Sequence, residues 1–180
     1  MVSHVQSFAP LGDRQARILI LGSMPGEASL RAGEYYAHPR NAFWPIMGQL
    51  CGFDPRLPYA ERVRCVVSAG IAVWDVLASC HRPGSADVDI DDSSITVNDF
   101  AGFFRRHPQV RSVYFNGMKA EACFRRMVPS QLPLSEVALH RLPSTSPANA
   151  SYSFEKKLSA WSVILGRGTT SQPRTNTEHP

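Results

Sequence analysis

Eight residues near the amino end, Ala16 to Ser23 (ARILILGS), form an almost unbroken apolar run that stops on a glycine turn. A strand with one wet face alternates apolar and polar residues. A run without that alternation is what a strand covered on both faces requires, as in a parallel sheet sandwiched between helices. The following sequence agrees. Asn41–Cys51 reads as a helix with Phe43, Ile46, Met47 and Leu50 on one face, and Tyr59–Ser68, preceded by Pro58, as a second helix. Ile71–Leu77 (IAVWDVL) reads as the next strand, and Ser79–Ser94, rich in Gly, Pro, Ser and Asp, as a loop. Val97–Arg106 is helical, with Asn98 as its cap and Phe100, Phe103 and Phe104 turned inward. Val110–Phe115 is a strand, Met118–Val128 a helix stopped by Pro129, Val137–Leu142 the last strand and Ser153–Leu165 the last helix, with Ser153 as cap.

Strand–helix alternation of this kind predicts an α/β chain: a three-layer α/β/α sandwich around a four-stranded parallel sheet with right-handed crossovers. At 180 residues the expectation is one domain over 1–165 and a polar, Gly/Pro/Thr-rich, disordered tail over 166–180. Met1–Pro10 has no secretory pattern and no apolar run has the length of a membrane span, so the reading is of a cytoplasmic monomer with no membrane partner. The net charge of +4 suits a polyanionic partner, although the basic residues fall in pairs such as Arg105–Arg106 and Lys156–Lys157 and form no long tract. Cys51, Cys65, Cys80 and Cys123 include no close pair of the kind that turns around a metal, which leaves buried free thiols and no metal or cofactor expected.

Ligands of such sheets bind beyond the carboxyl ends of the strands. Two loops there carry the chemistry. The first opens with Gly22, Ser23, Met24, Pro25 and Gly26 and runs to Trp44 through Tyr35, Tyr36, His38, Pro39 and Asn41. Glycines permit a tight turn and close backbone approach, and N–H groups at such a turn can bond a carbonyl oxygen or a phosphate. The turn lacks the Gly-Lys-Ser/Thr ending of a phosphate loop. Tyr36 or Phe43 could stack on a flat ring; Trp44 shares a helical face with Met47 and belongs to the core. Asn41 is placed either to cap the next helix or to position a water or bond a base edge, and His38 is an acid, a phosphate ligand or a buried polar group. In the second loop, Leu142–Ala150 (LPSTSPANA), Pro143 and Pro147 stiffen the chain while Ser144, Thr145 and Ser146 offer hydroxyls to phosphates, with Lys156 and Lys157 following. Asp75 is the carboxylate nearest the sheet's edge. It could bond a base, orient a water or pair with Arg82.

GSMPGEASL, YYAHPRNAFW, GIAVWDVLASC, the RPGS of Arg82–Ser85 and LPSTSPANA, in that order, resemble the uracil-DNA glycosylase superfamily, and within it the hypoxanthine-DNA glycosylase (DNA-deoxyinosine glycosylase, family 6) branch. The resemblance runs from about Ala16 to Leu165. It implies a monofunctional, cofactor-free glycosylase that flips a deaminated base out of double-stranded DNA and hydrolyses its N-glycosidic bond. Most branches hold a catalytic Asn or Asp at the second or third position of the Gly-X-X-Pro-Gly turn; here those positions are Ser23 and Met24. In the hypoxanthine branch the catalytic amide is the Asn of HPRNAFW, Asn41. The second motif begins with Leu142 where the uracil-specific branches have histidine. The resemblance thus implies hypoxanthine as substrate and Asn41 as catalyst; the reading of the residues adds His38 and Asp75 as catalytic candidates, the 22–26 turn with Tyr36 or Phe43 around the base, and the 142–150 loop pinning phosphates and wedging the duplex. The alternatives are a broader uracil or mismatch glycosylase and a damage-binding module without catalysis.

Overall fold

The computed structural model describes residues 4–84, 86–128, 132 and 134–166. The tail expected from 166 onward lies, from residue 167, outside the described residues, as do Ser85 and Pro129. The elements in chain order are β1 (His4–Gln6), β2 (Ile18–Gly22), α1 (Glu27–Ala32), α2 (Phe43–Cys51), α3 (Tyr59–Ser68), β3 (Ile71–Asp75), β4 (Leu77–His81), β5 (Thr96–Val97), α4 (Phe100–Arg106), β6 (Ser112–Asn116), α5 (Met118–Met127), β7 (Ala138–Leu142) and α6 (Phe154–Trp161).

Strands β3, β2, β6 and β7 form, in that order, a fully parallel sheet, with Leu21 level with Trp74 on one side and Phe115 on the other. The run that opens the chain's apolar pattern is a central strand: Leu19, Ile20 and Leu21 are completely buried. Successive crossovers go outward from β2 to β3, then back over β2 to β6 and on to β7. Right-handed connections therefore put α1–α3 over one face and α4 and α5 over the other. Helix α6 packs beside α2. This is the expected three-layer α/β fold. The direction of winding reverses between β2 and β6, so a crevice opens beyond the ends of these two strands.

Several boundaries differ from the sequence reading, including that of Val97, which ends β5 and does not open a helix. Ile71–Leu77 is not one strand. The chain leaves the parallel sheet after Asp75, and β4 pairs antiparallel with β1 and β5 in a second, three-stranded sheet. The bend is fixed by Asn98, whose side-chain amide donates to the carbonyls of Asp75 (2.8 Å) and Leu77 (3.2 Å). Asn98 is thus a clamp, and the cap of α4 is Asp99, which accepts from the Gly102 N–H at 2.9 Å. Part of the stretch read as loop, Ser79–His81, is strand. Its short, half-polar edge pairing carries little periodic signal. Finally, Glu27–Ala32 forms a short helix ended by Gly33 in the left-handed conformation.

Candidate active site

The Gly22–Gly26 turn leaves the end of β2 and is itself buried through Pro25. Val76 and Leu77 donate to the carbonyls of Gly22 and Ser23, so the turn is laced to the exit of β3. Among the described residues nothing accepts from the N–H groups of Ser23, Met24 or Gly26. The Ser23 hydroxyl donates to Asp87 Oδ1 at 2.6 Å. Arg82, 2% exposed, donates to the Pro25 carbonyl and not to Asp75, so of the uses open to Asp75 the pair with Arg82 is not the one made.

Against this turn lie Asp75, 3% exposed, and Tyr36. A β-carbon on Gly22 would stand 2.5 Å from Asp75 Oδ1 and 3.2 Å from the Tyr36 hydroxyl, so only glycine lets the two groups meet there. Among the described residues the buried side-chain polar atoms without a hydrogen-bond partner are three: Asp75 Oδ2, the Tyr36 hydroxyl and Arg82 Nε. Orphaned buried polar atoms are costly, and three gathered around one turn mark a place prepared for a polar ligand. Burial, reinforced by the negative charge of Asp87 and only partly opposed by Arg82, pushes the Asp75 carboxyl up to about 8. At neutral pH it is therefore largely a neutral acid, able to donate through O–H and accept through C=O. Burial and the neighbouring Asp75 also push the Tyr36 phenol upward, while the Asn116 amide, near it but outside hydrogen-bonding geometry, pulls the other way.

Tyr36 is held under strain. Among the described residues it is the one non-glycine with positive φ, at 55°. Its ring stacks on Phe43 with centroids 4.0 Å apart and planes at 23°. Phe43 is fully buried, wedged between Tyr36, Trp44 and Trp161. Of the two rings expected to meet a ligand, Phe43 is therefore the backing and half-buried Tyr36 the one with surface to offer.

Asn41 precedes α2. Its Oδ1 accepts from the Phe43 N–H at 3.0 Å, and its own N–H donates to the His38 carbonyl at 2.8 Å. The first bond fixes the side chain and, among the described residues, leaves one Oδ1 lone pair and the whole Nδ2 group uncommitted. His38 accepts from the Arg40 N–H at Nδ1, so the neutral ring carries its proton on the other nitrogen and faces a partner as a donor. Beside them a cavity of about 280 Å³ is lined by Pro39, Arg40, Asn41, Ala42, Tyr152 and Lys157, among others.

The LPSTSPANA loop is joined to this region by a residue that the sequence reading assigned elsewhere. Thr145 is fully buried, and its hydroxyl accepts from Asn116 Nδ2 (2.9 Å). Its N–H donates to Asn116 Oδ1 (2.8 Å) and its carbonyl accepts from the Ala42 N–H (3.0 Å). Thr145 has no hydroxyl to give a phosphate; it ties the loop after β7 to the end of β6 and to the start of α2. Ser144 and Ser146 remain half-buried, each accepting from a backbone N–H two residues on. Pro143 is anchored by the Trp161 indole N–H (3.0 Å), and the Ser146 carbonyl by Lys157, which burial holds below the usual lysine range. Lys156 stands exposed on the first turn of α6, and Pro147 is half-buried. Thr145→Val should cost about 1–3 kcal/mol through the orphaned Asn116 amide, read by urea unfolding; an unchanged midpoint would show the joint to be dispensable.

The sequence model described as the Uracil DNA glycosylase superfamily matches residues 9–165. The chain belongs to that superfamily. Over 164 residues, 89% of this chain and 97% of the relative, it is 33% identical to a protein of Methanosarcina acetivorans named Hypoxanthine DNA glycosylase. A Methanosarcina barkeri protein of the same name is 38% identical over 116 residues, 64% of this chain and 72% of that one. A solution NMR structure from Methanosarcina acetivorans, solved as a candidate uracil DNA glycosylase, superposes with a TM-score of 0.74 at 32% identity, covering 91% of this chain and 97% of the other. Within this superfamily member no helix among the described residues is long and apolar enough to cross a membrane. Asn116, Thr145 and Arg82 are the site-forming residues whose parts the sequence reading did not foresee. The Asn-Gly at the end of β6 was the available signal for the first.

Proposed function

We propose that this chain is a DNA glycosylase that removes hypoxanthine from double-stranded DNA by base flipping. The observation that carries the reading is the group of orphaned polar atoms, Asp75 Oδ2, Tyr36 hydroxyl and Arg82 Nε, around a glycine turn. The two relatives' shared name supplies the lesion. The N–H and C=O of a lactam base complement the C=O and O–H of a neutral carboxyl, and Asp75 offers that pair. The outer face of Tyr36 stacks on the flipped ring, an interaction worth about 1–3 kcal/mol, and the free N–H groups of the 22–26 turn bond its remaining acceptors.

The sugar then moves toward an oxocarbenium ion as the C1′–N9 bond lengthens. Asn41 Oδ1 accepts a hydrogen bond from the attacking water and holds it below C1′. The water oxygen bonds C1′ and loses a proton to solvent; the base departs with the bonding electron pair, which its lactam delocalises, and is protonated. His38, as a donor, serves a phosphate or the departing base. Ser144, Ser146 and Lys156 lie where flanking phosphates would run.

Duplexes carrying a single hypoxanthine, uracil, xanthine or ethenoadenine, incubated with the protein and then treated with alkali, test this directly. Scission confined to hypoxanthine is the expected result. Binding without scission would reduce the protein to a recognition module, and equal scission at uracil would make it a broad glycosylase. Gly22→Ala drives a methyl group into Asp75 Oδ1. It should slow excision at least about tenfold, since displacement of a positioning group by about 1 Å is enough for such losses; a rate equal to that of the parent would separate the turn from the base site.

A further inference from the structure

The Asn41 side chain is steadied by the Phe43 N–H, but its backbone is held from elsewhere. The next residue, Ala42, donates its N–H to the Thr145 carbonyl at 3.0 Å. The place of Asn41 therefore depends on where Thr145 lies, and Thr145 depends in turn on one side chain. Asn116 Oδ1 accepts from the Thr145 N–H (2.8 Å) while Asn116 Nδ2 donates to the Thr145 hydroxyl (2.9 Å), a two-point grip on the backbone and side chain of one residue. Two bonds between the same partners fix orientation as well as distance, which one bond does not.

Asn116 has a rigid footing. It ends β6, level with Leu142 in the parallel sheet. The Gly117 N–H that follows donates to the carbonyls of both Phe115 and Leu142 at 3.0 Å. Gly117 has a φ of 96°, and a β-carbon there would stand 3.0 Å from that of Ser144, so a side chain at this position would push the loop off its seat. The Asn116 amide also stands beside the orphaned Tyr36 hydroxyl, and one of its two Nδ2 protons has no acceptor among the described residues. One side chain at the end of a central strand thus lies next to the stacking ring and, through Thr145 and Ala42, governs the backbone of Asn41.

Resting on the glycosylase reading, we propose that Asn116 is a positioning residue for excision: through Thr145 and Ala42 it sets the place of the Asn41 amide beneath the sugar. It moves no proton and touches no reacting atom. Loss of its grip is therefore felt in the chemical step and not in binding, and only while Asn41 is present. Asn116→Ala should slow single-turnover excision of hypoxanthine at saturating enzyme about tenfold or more, since displacement of a positioning group by about 1 Å is enough for such losses. Its affinity for a lesion duplex made uncleavable by a 2′-fluorine on the sugar should stay within about twofold of the parent's. Thr145→Val should show the same loss in smaller degree, and Thr145→Ser, which keeps the hydroxyl, should restore the rate. In a protein already carrying Asn41→Ala, Asn116→Ala should slow excision no further. A merely structural residue gives another pattern, because a partly unfolded population lowers the rate by the same factor with or without Asn41. Equal factors in the two backgrounds would overturn the assignment. So would an Asn116→Ala protein, or an Asn41→Ala protein, as fast as the parent. Failure of the parent protein to excise hypoxanthine at all is a separate result, which removes the glycosylase reading and this role with it.

Discussion

Asn41→Ala is expected to lower single-turnover excision of hypoxanthine by about a hundredfold or more, while costing only about 1 kcal/mol in stability through loss of the helix-start bond to Phe43. The two effects separate because one oxygen serves both. Oδ1 accepts from the Phe43 N–H at 3.0 Å, which fixes the side chain, and keeps a second lone pair for water. In the proposed mechanism this helix-start bond is a positioning device: it removes the rotamer freedom that a surface amide would otherwise lose at the transition state. Asn41→Asp keeps an acceptor for both partners and should retain more of the rate than Asn41→Ala. Rates measured with enzyme in excess, together with melting curves, decide the matter. A rate within a few-fold of the parent would leave Asn41 a residue that steadies the start of α2 and nothing more.

Asp75→Asn should make the protein more stable at alkaline pH and change the pH dependence of its activity. The folded-state carboxyl titrates near 8 and the unfolded one near its ordinary value of 3.8. Between those values the unfolded chain has released the proton that the folded chain still holds. Stability therefore falls as pH rises from about 4 to about 8 and levels off above. Asparagine, which has no proton to release, removes that slope: parent and variant should match near pH 4, and the variant should be the more stable by a few kcal/mol at pH 9, read by urea unfolding at each pH. The same titration removes the O–H donor from the proposed base site, so the parent's excision rate should fall as pH rises through about 8. Asp75→Asn, whose amide can both donate and accept, should not follow that fall. Parallel stability profiles for the two proteins would mean that Asp75 is ionised in its buried place.

The parallel sheet was legible because burial on both faces leaves a mark in sequence: ARILILGS and IAVW admit few other uses. The second sheet was not, because β1, β4 and β5 are short and half-polar, and what defines them is pairing across distant residues, such as His4 with His81. In the site the residue types were legible but their division of labour was not. Tyr36 and Phe43 are equivalent on paper; burial of one by the other distinguishes them. Thr145 looked like one hydroxyl of three, and only its depth shows it turned inward. Arg82 could be foreseen near Asp75, but its bond to the Pro25 carbonyl depends on the path of a buried turn.

The joint made by Asn116, Thr145 and Ala42 also bears on how such a chain can change over generations. Loops ordinarily drift in length independently of one another. Here three of them share one set of hydrogen bonds, so an insertion between Tyr36 and Ala42, or between Leu142 and Thr145, would displace the other two. Variation in length is thereby steered to stretches outside the joint, such as the largely exposed connection between α2 and α3 at residues 53–58, where a lengthened chain would leave the crevice and its floor in place.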